Sequence, residues 1–181
     1  MIKSTLFCHA ATLPSASYML KTEVHILQGG EMSIHYFLTG SLGQLFIPTP
    51  KPPAATDYLW EHTCFEAFFA VMGEKRYHEF NFSPSGQWAA FAFSDTRQRV
   101  QWTTEQAPVI TVNRTPESML LKARIPAVAL PPNTAGKSLQ LGLSGVLETQ
   151  DGHRSYWALH HPAPHPDFHD RTGFTLTLNQ P

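Results

Sequence analysis

Charge of either sign is scarce in this chain, and the two signs nearly cancel. Only 15% of its 181 residues are Asp, Glu, Lys or Arg, and 13 basic against 14 acidic side chains leave a formal net charge of -1. The sequence also lacks a run of basic residues that could follow a phosphate backbone. We therefore do not expect a nucleic-acid partner.

Motifs that would select an enzyme class or a membrane location are missing as well. The chain has no G-x-S-x-G motif, no glycine-rich phosphate loop and no apolar run long enough to cross a bilayer. Residues 1–20 lack the apolar core of a signal peptide, so we expect a cytoplasmic protein with no membrane partner. The two cysteines, Cys8 and Cys64, form no C-x-x-C motif, and their spacing leaves open whether they pair.

Short segments of alternating polarity make up most of what remains. With 42% hydrophobic residues, including 12 Phe, the composition is that of a folded domain. Strand patterns separated by Gly, Pro and Asn turns predict a single domain, residues 1–181, with an all-β, antiparallel β-sandwich fold. We predict strands at residues 21–27, 32–39, 44–47, 64–71, 77–83, 88–93, 109–114, 119–125, 139–148, 154–159 and 174–178. Loops are expected at residues 48–55, 95–106 and 131–136.

Residues 59–93 predict three consecutive strands with one unusually polar face. If four residues close each hairpin, Met72 pairs with Tyr77 and Ser83 pairs with Trp88. The core face would then hold Phe65, Phe69, Phe80, Phe82, Phe91 and Phe93. The polar face would hold Glu66, Glu79, Asn81, Trp88, Ala90 and Ala92. Such a face could receive a ligand or be an ordinary solvated surface, and a slip of one residue would reverse a strand's faces.

Four segments carry a resemblance to a known family: LWEHTCFEAFFAV, YHEFNFSPSGQWAAFAF, GLSGVLETQDGHRSYWALHHP and PDFHDRTGFTLTL. In this order they resemble bacterial DOMON-like proteins, which are related to family 9 carbohydrate-binding modules. The resemblance implies a DOMON-like, jelly-roll-like β-sandwich that binds sugars or haem. It implies a sugar site built from Trp60, Glu66 and Asn81, with Trp157 as a second aromatic clamp. Glu79 stands where that site would often have a basic residue.

Two further groups of residues have the chemistry of a recognition site. Trp60, Glu61 and His62 lie where a proline-rich loop meets a strand, and an aromatic ring beside carboxylates suits a sugar. Residues 156–171 are rich in His and Asp, and His161, Asp167 and His169 are candidates for a ligand-facing loop. The same loop could hold a metal or close turns, but its prolines prevent a helix that would align the histidines.

These observations predict a non-catalytic module that binds a small ligand, with a carbohydrate or cell-wall-derived sugar as the first hypothesis. A haem or redox module is the alternative, with Met72, Met119, His78 and His161 as possible axial ligands. A protein-interaction scaffold is a third. Glu66 and Glu79 could also serve as a glycosidase pair, but no other feature supports catalysis. We expect no cofactor and no metal, and the sequence leaves the oligomeric state open.

Overall fold

The computed structural model describes residues 1–104, 106–131 and 137–179, and its regular structure there consists of strands and single helical turns. In chain order, the strands are β1 (Ile2–Cys8), β2 (Tyr18–Ile26), β3 (Met32–Gly40), β4 (Cys64–Val71), β5 (Tyr77–Phe82), β6 (Trp88–Asp95), β7 (Gln98–Val100), β8 (Val109–Arg114), β9 (Ser118–Ile125), β10 (Ser138–Glu148), β11 (Arg154–Ala158) and β12 (Leu176–Asn179). Turns of 3₁₀ helix occupy Ala10–Thr12, Gln28–Gly30, Leu42–Gln44, Leu59–Glu61, Ala127–Ala129 and Arg171–Gly173. Within the described ranges, no helix is long and apolar enough to span a membrane.

The strands form two antiparallel sheets that are joined through β1. The first sheet has the order β7-β6-β5-β4-β10-β11, with β12 beside the start of β10. The second has the order β1-β2-β3-β9-β8. β1 pairs with β2 over residues 2–6 and with β11 through Phe7 and Cys8. The all-β sandwich predicted from the sequence is therefore confirmed.

The main hydrophobic core lies between the sheets. Tyr36 of the second sheet stacks on Phe65 of the first with ring centroids 4.9 Å apart. Its hydroxyl donates a hydrogen bond of 2.7 Å to the backbone carbonyl of Glu66. The predicted core residues Phe65, Phe69, Phe80 and Phe82 are all fully buried here.

A second, smaller cluster covers the outer face of the first sheet. Its aromatic members are Phe68, Tyr77, Phe91, Phe93 and Phe174. Phe174 comes from the segment between β11 and β12, residues 159–175, which we call the C-terminal loop. The first sheet is thus apolar on both sides, which explains why every residue of β4 and β5 is buried.

The register of the first hairpin differs from the prediction without changing its faces. β4 and β5 pair Ala70 with Tyr77, where the sequence predicted Met72 with Tyr77. The shift is two residues, and side chains alternate with period two. Glu66, Glu79 and Asn81 therefore still share the face opposite Phe65 and Phe80, as predicted.

The predicted register of the second hairpin is wrong by one residue. Phe82, not Ser83, pairs with Trp88, because the loop has five residues and closes with Ser83 N–H donating to the Gln87 carbonyl at 3.0 Å. One extra residue reverses both faces of β6. Phe91 and Phe93 consequently lie beside Glu79 rather than in the main core. Trp88, Ala90 and Ala92 lie on the face of Phe80 and Phe82 instead of the polar face.

Other differences from the prediction are local. Residues 2–8 and 98–100 form strands that the sequence analysis assigned to no strand, and residues 44–47 contribute only an isolated bridge between Leu45 and Thr149. The predicted loop at 131–136 lies, apart from Pro131, outside the described residues. Cys8 and Cys64 are both free thiols.

Candidate functional site

Three polar side chains meet on the outer face of the first sheet. Glu66 on β4 is directly opposite Asn81 on β5, and the Asn81 side-chain N–H donates to Glu79 Oε1 at 2.6 Å. Exposed fractions are 4% for Glu66, 6% for Glu79 and 0% for Asn81. The Asn81 amide therefore fixes one carboxyl oxygen of Glu79, and all three side chains are almost fully shielded from water.

Burial disfavours a charge on Glu66. The loss of hydration raises the pKa of its carboxyl well above the ordinary value, and the nearby Glu79 carboxyl raises it further. Ser144 on β10 donates a hydrogen bond of 3.2 Å to Glu66 Oε2, which opposes the shift. Burial thus favours the protonated form of Glu66, which can donate as well as accept a hydrogen bond.

The pKa of the Glu79 carboxyl lies near neutral pH. Burial raises its pKa to about 7, against the hydrogen bond from Asn81 and the positive charges of Arg97 and Arg99, which lower it. His169 Nε2 approaches Glu79 Oε2 at 3.7 Å. Burial also lowers the pKa of His169 to about 4, so the imidazole is neutral at pH 7 and this contact is not an ion pair.

A cavity of about 400 Å³ opens over these groups. Its lining combines the carboxyls of Glu66 and Glu79 with aromatic rings and with three arginines from β7, β11 and the turn before β7. The aromatic members are Trp60, Phe91, Phe93, Tyr156 and Phe168. The basic members are Arg97, Arg99 and Arg154, and Val146, Pro166 and His169 complete the lining.

The aromatic rings come from separate parts of the chain. Trp60 packs edge-on against Phe91, with centroids 5.9 Å apart and planes at 72°. Tyr156 on β11 contacts Phe168 of the C-terminal loop at 5.9 Å. Trp60 and Phe168 are only partly buried, so their rings remain available to a molecule in the cavity.

The arginines are held by different partners. Arg97 forms an ion pair of 2.8 Å with Asp167, and the Arg99 guanidinium lies 4.0 Å from the centroid of the Phe91 ring. Stacking on a ring fixes the plane of a guanidinium and leaves its N–H groups free to donate. Arg154 is exposed at the start of β11. Two of the three guanidinium groups that line the cavity are therefore held in place, those of Arg97 and Arg99.

The C-terminal loop is fastened to the first sheet at several points. Arg171 donates to the backbone carbonyls of Glu74 and Lys75 and to Gln140 Oε1 at 2.9–3.1 Å. Phe174 packs over Gly142 of β10, where a Cβ atom would lie 2.6 Å from its ring. These contacts hold Phe168 and His169 over the sheet.

The cavity brings together some of the predicted site residues. Trp60, Glu66, Glu79 and His169 line it, and Asn81 donates a hydrogen bond to Glu79. Asp167 holds Arg97 and also accepts a hydrogen bond of 3.0 Å from the His169 backbone N–H. These placements match the expected location, while their role in binding stays a prediction.

Other predicted residues lie elsewhere. Trp157 is only 6% exposed and belongs to the main core, donating to Ser155 Oγ at 3.0 Å, so the predicted clamp of Trp60 with Trp157 is wrong. The alternation of β11 turns Tyr156, not Trp157, towards the cavity. Trp88 lies on the opposite face of the sheet.

Glu61, His62 and His161 also lie outside the cavity lining. Glu61 is exposed, and His62 contacts Glu148 at 2.6 Å. His161 contacts the Phe7 carbonyl through Nε2 at 2.8 Å. None of the three is among the residues that line the cavity described above.

The possible haem ligands have separate surroundings. Met119 is buried in the main core, Met72 is exposed at a hairpin, and His78 packs against Trp102 with centroids 4.7 Å apart. His161 is engaged by Phe7, as above.

Sequence reasoning missed the arginines, Tyr156 and Phe168. Arg97 and Arg99 lie within residues 95–106, a polar stretch around Trp102 that the sequence predicts as a long connection rather than a strand. Phe168 stood between the named candidates Asp167 and His169 but was not selected. Basic side chains do reach the cavity from neighbouring elements, since Arg97, Arg99 and Arg154 all line it.

Comparison with known proteins provides structural likeness only. No protein-family model matches the chain, and no curated protein matches its sequence. The fold superimposes on a candidate carbohydrate-binding protein from Bacteroides uniformis with a TM-score of 0.71 and 17% identity, over 96% of this chain and 84% of that one. This chain shares that fold.

A second solved structure is a family 9 carbohydrate-binding module from Caldicellulosiruptor kristjanssonii in complex with glucose. The TM-score is 0.50 at 9% identity, and the match covers 85% of this chain and 73% of the module. Both likenesses show the fold of this chain. The narrower resemblance to DOMON-like proteins stays a prediction.

Proposed function

We propose that this chain is a non-catalytic binding module that takes a small carbohydrate in the cavity over Glu66 and Glu79. The observation that carries the proposal is the combination, in one cavity of about 400 Å³, of partly exposed aromatic rings with carboxyls and arginines. This volume is within the range of small-molecule sites. Two solved structures with the same fold are named as carbohydrate-binding, one of them holding glucose.

The chemistry of the lining fits a sugar. A pyranose ring has apolar C–H faces that pack on aromatic rings such as Trp60 and Phe168, and hydroxyls that both donate and accept hydrogen bonds. The protonated form of Glu66, which burial favours, can do both, and Arg99 and Arg154 can donate. DOMON-like membership, suggested by the sequence, is consistent with this class of ligand.

The charges of the cavity lining indicate which class of sugar would bind more tightly. Arg97 is neutralised by Asp167, but Arg99 and Arg154 face a cavity in which burial disfavours charge on both carboxyls. A sugar with a carboxylate substituent would add a charge-assisted hydrogen bond to a guanidinium. We therefore propose that acidic sugars, including those derived from cell walls, bind more tightly than neutral ones of the same size.

A glycan screen followed by calorimetry tests the proposal. We expect at least one mono- or oligosaccharide to bind, to change tryptophan fluorescence and to bind more weakly to Arg154→Ala. The control is Arg114→Ala, an exposed arginine of β8 outside this cavity. A screen without a bound sugar, or equal affinities for the two variants, would count against this site.

Two further measurements separate the alternatives. Absorbance in the Soret region of the purified protein would favour the haem module instead. Release of shortened products from a bound oligosaccharide, lost in Glu66→Gln, would replace the non-catalytic proposal with a glycosidase.

The cytoplasmic location expected from the sequence is also part of the proposal, and cell fractionation tests it.

A further inference from the structure

Three side chains with metal-binding atoms meet on the outer face of the second sheet, on the other side of the sandwich from the cavity. Glu23 and His25 alternate along β2, and His35 on β3 is directly opposite Glu23. Their intervening neighbours Val24 and Ile34 are buried in the main core. The three polar side chains therefore project from the same outer surface.

The distances between their ligand atoms approach those of a metal site. Glu23 Oε2 lies 3.5 Å from His25 Nε2 and 3.9 Å from His35 Nδ1. All three ligand atoms lie within 4.8 Å of one another. Tetrahedral zinc, with bonds of about 2.0–2.2 Å, holds its ligand atoms about 3.4 Å apart. Small side-chain rotations on the fixed strands would close this difference.

The hydrogen bonds around the cluster leave the inward-facing nitrogens available. His25 Nε2 is buried and has no hydrogen-bond partner among the described residues. His35 contacts Ser33 Oγ through Nε2 at 3.1 Å, which leaves Nδ1 directed towards Glu23. A hydrogen bond on the outer nitrogen is the usual way that a protein orients a histidine ligand.

Two lysines near the cluster limit the affinity that we expect for a metal cation. Lys3 Nζ contacts Glu23 Oε1 at 2.8 Å, so one carboxylate oxygen is engaged while Oε2 faces the histidines. Lys122 on β9 is directly opposite His35. Their positive charges disfavour a cation, and the carboxylate would bind through one oxygen.

We propose that Glu23, His25 and His35 form a site for a divalent transition-metal ion such as Zn²⁺, with water completing the coordination. Two imidazoles and one carboxylate are a ligand set that zinc accepts, whereas Mg²⁺ and Ca²⁺ prefer oxygen ligands. The bound ion would link β2 to β3 and stabilise the second sheet. The site is independent of the proposed sugar cavity.

Titration of the whole chain with Zn²⁺ alone, followed by calorimetry, tests this proposal. We expect one ion per wild-type chain, an increase of Tm with Zn²⁺, and loss of both effects in the double variant His25→Ala/His35→Ala. His153→Ala is the matched control, since its side chain is exposed on the turn before β11. Co²⁺ should give visible absorption bands of a low-coordinate site in the wild type and not in the double variant.

The contact between Ser33 Oγ and His35 Nε2 provides a second test that leaves both histidines in place. Ser33→Ala should weaken Zn²⁺ binding by about 10- to 100-fold, the typical cost of losing a partner of a histidine ligand. Glu23→Gln should weaken it as well. If the double variant does not fold, these two variants decide the question. Unchanged stoichiometry and affinity in the variants would overturn the site and place the binding at other histidines.

Discussion

The Glu79 carboxyl occupies a position where a negative charge is costly to bury. Its pKa rises from an ordinary 4.5 to about 7 in the folded chain. Below pH 4.5 the group is protonated in both the folded and unfolded states. As the pH rises towards 7 the unfolded chain releases the proton first, so the free energy of unfolding falls and then levels off.

We therefore expect Glu79→Gln to become more stable than the wild type as the pH is raised, because an amide has no charge to bury. The full difference would be roughly 3 kcal/mol for a shift of this size, and it should nearly vanish at about pH 4. Urea unfolding across this pH range measures it. Glu117→Gln, at the exposed turn between β8 and β9, is the control. Parallel pH profiles for the wild type and Glu79→Gln would contradict the buried charge.

Trp60 and Trp157 should respond to substitution in opposite ways. Trp60 is partly exposed at the cavity, so Trp60→Ala should abolish sugar binding with little loss of stability. Trp157 lies in the main core, and Trp157→Ala should cost about 3–5 kcal/mol. Thermal melts and calorimetry with the sugar found in the screen measure both effects. Trp157→Phe, which keeps most of the core volume, should still bind, and retained affinity in Trp60→Ala would remove Trp60 from the site.

At the scale of elements, the C-terminal loop depends on a close approach to β10. The Phe174 ring lies over Gly142, and an added Cβ would be 2.6 Å from it. Gly142→Ala should displace Phe174 and cost about 1–3 kcal/mol as an overpacked contact. The same loop carries Phe168 and His169, so sugar affinity should fall together with stability.

Gly43→Ala is the matched control for this prediction. A Cβ at Gly43 would meet nothing within 4 Å, so the substitution should change neither stability nor binding. Chemical unfolding and calorimetry measure both quantities for the two variants. An unaltered Gly142→Ala protein would mean that the loop is positioned by Arg171 and its backbone contacts instead.

At the scale of the molecule, the two sheets should unfold together. β1 pairs with a strand of each sheet, and Tyr36 bonds the second sheet to the backbone of β4. Separating the sheets would expose the main core of both, so neither has an apolar face to retain alone. We expect one calorimetric transition with equal calorimetric and van't Hoff enthalpies. Two resolved transitions would contradict the single domain predicted from the sequence.

Alternation along the strands was sufficient to assign the all-β class and the two faces of β4 and β5. Phe65 and Phe80 lie in the main core and Glu66, Glu79 and Asn81 lie on the outer face, as the pattern predicts. These assignments are robust because a period of two is a local property of an extended chain. An error of two residues in the hairpin register leaves them unchanged.

Tertiary structure decided which side of β6 faces the main core and which residues cover the cavity. Both parities of β6 carry apolar residues, so its pattern does not say which side faces the main core, and the five-residue loop before it decided the matter. Likewise, the sequence alone does not say whether Tyr156 or Trp157 faces the cavity, because pairing with β10 sets the parity of β11.

The arginines and Phe168 reached the cavity from β7, β11 and the C-terminal loop through contacts between distant parts of the chain. Local periodicity carries no information about such contacts, because it describes how a strand orients its side chains and not which strand lies beside it.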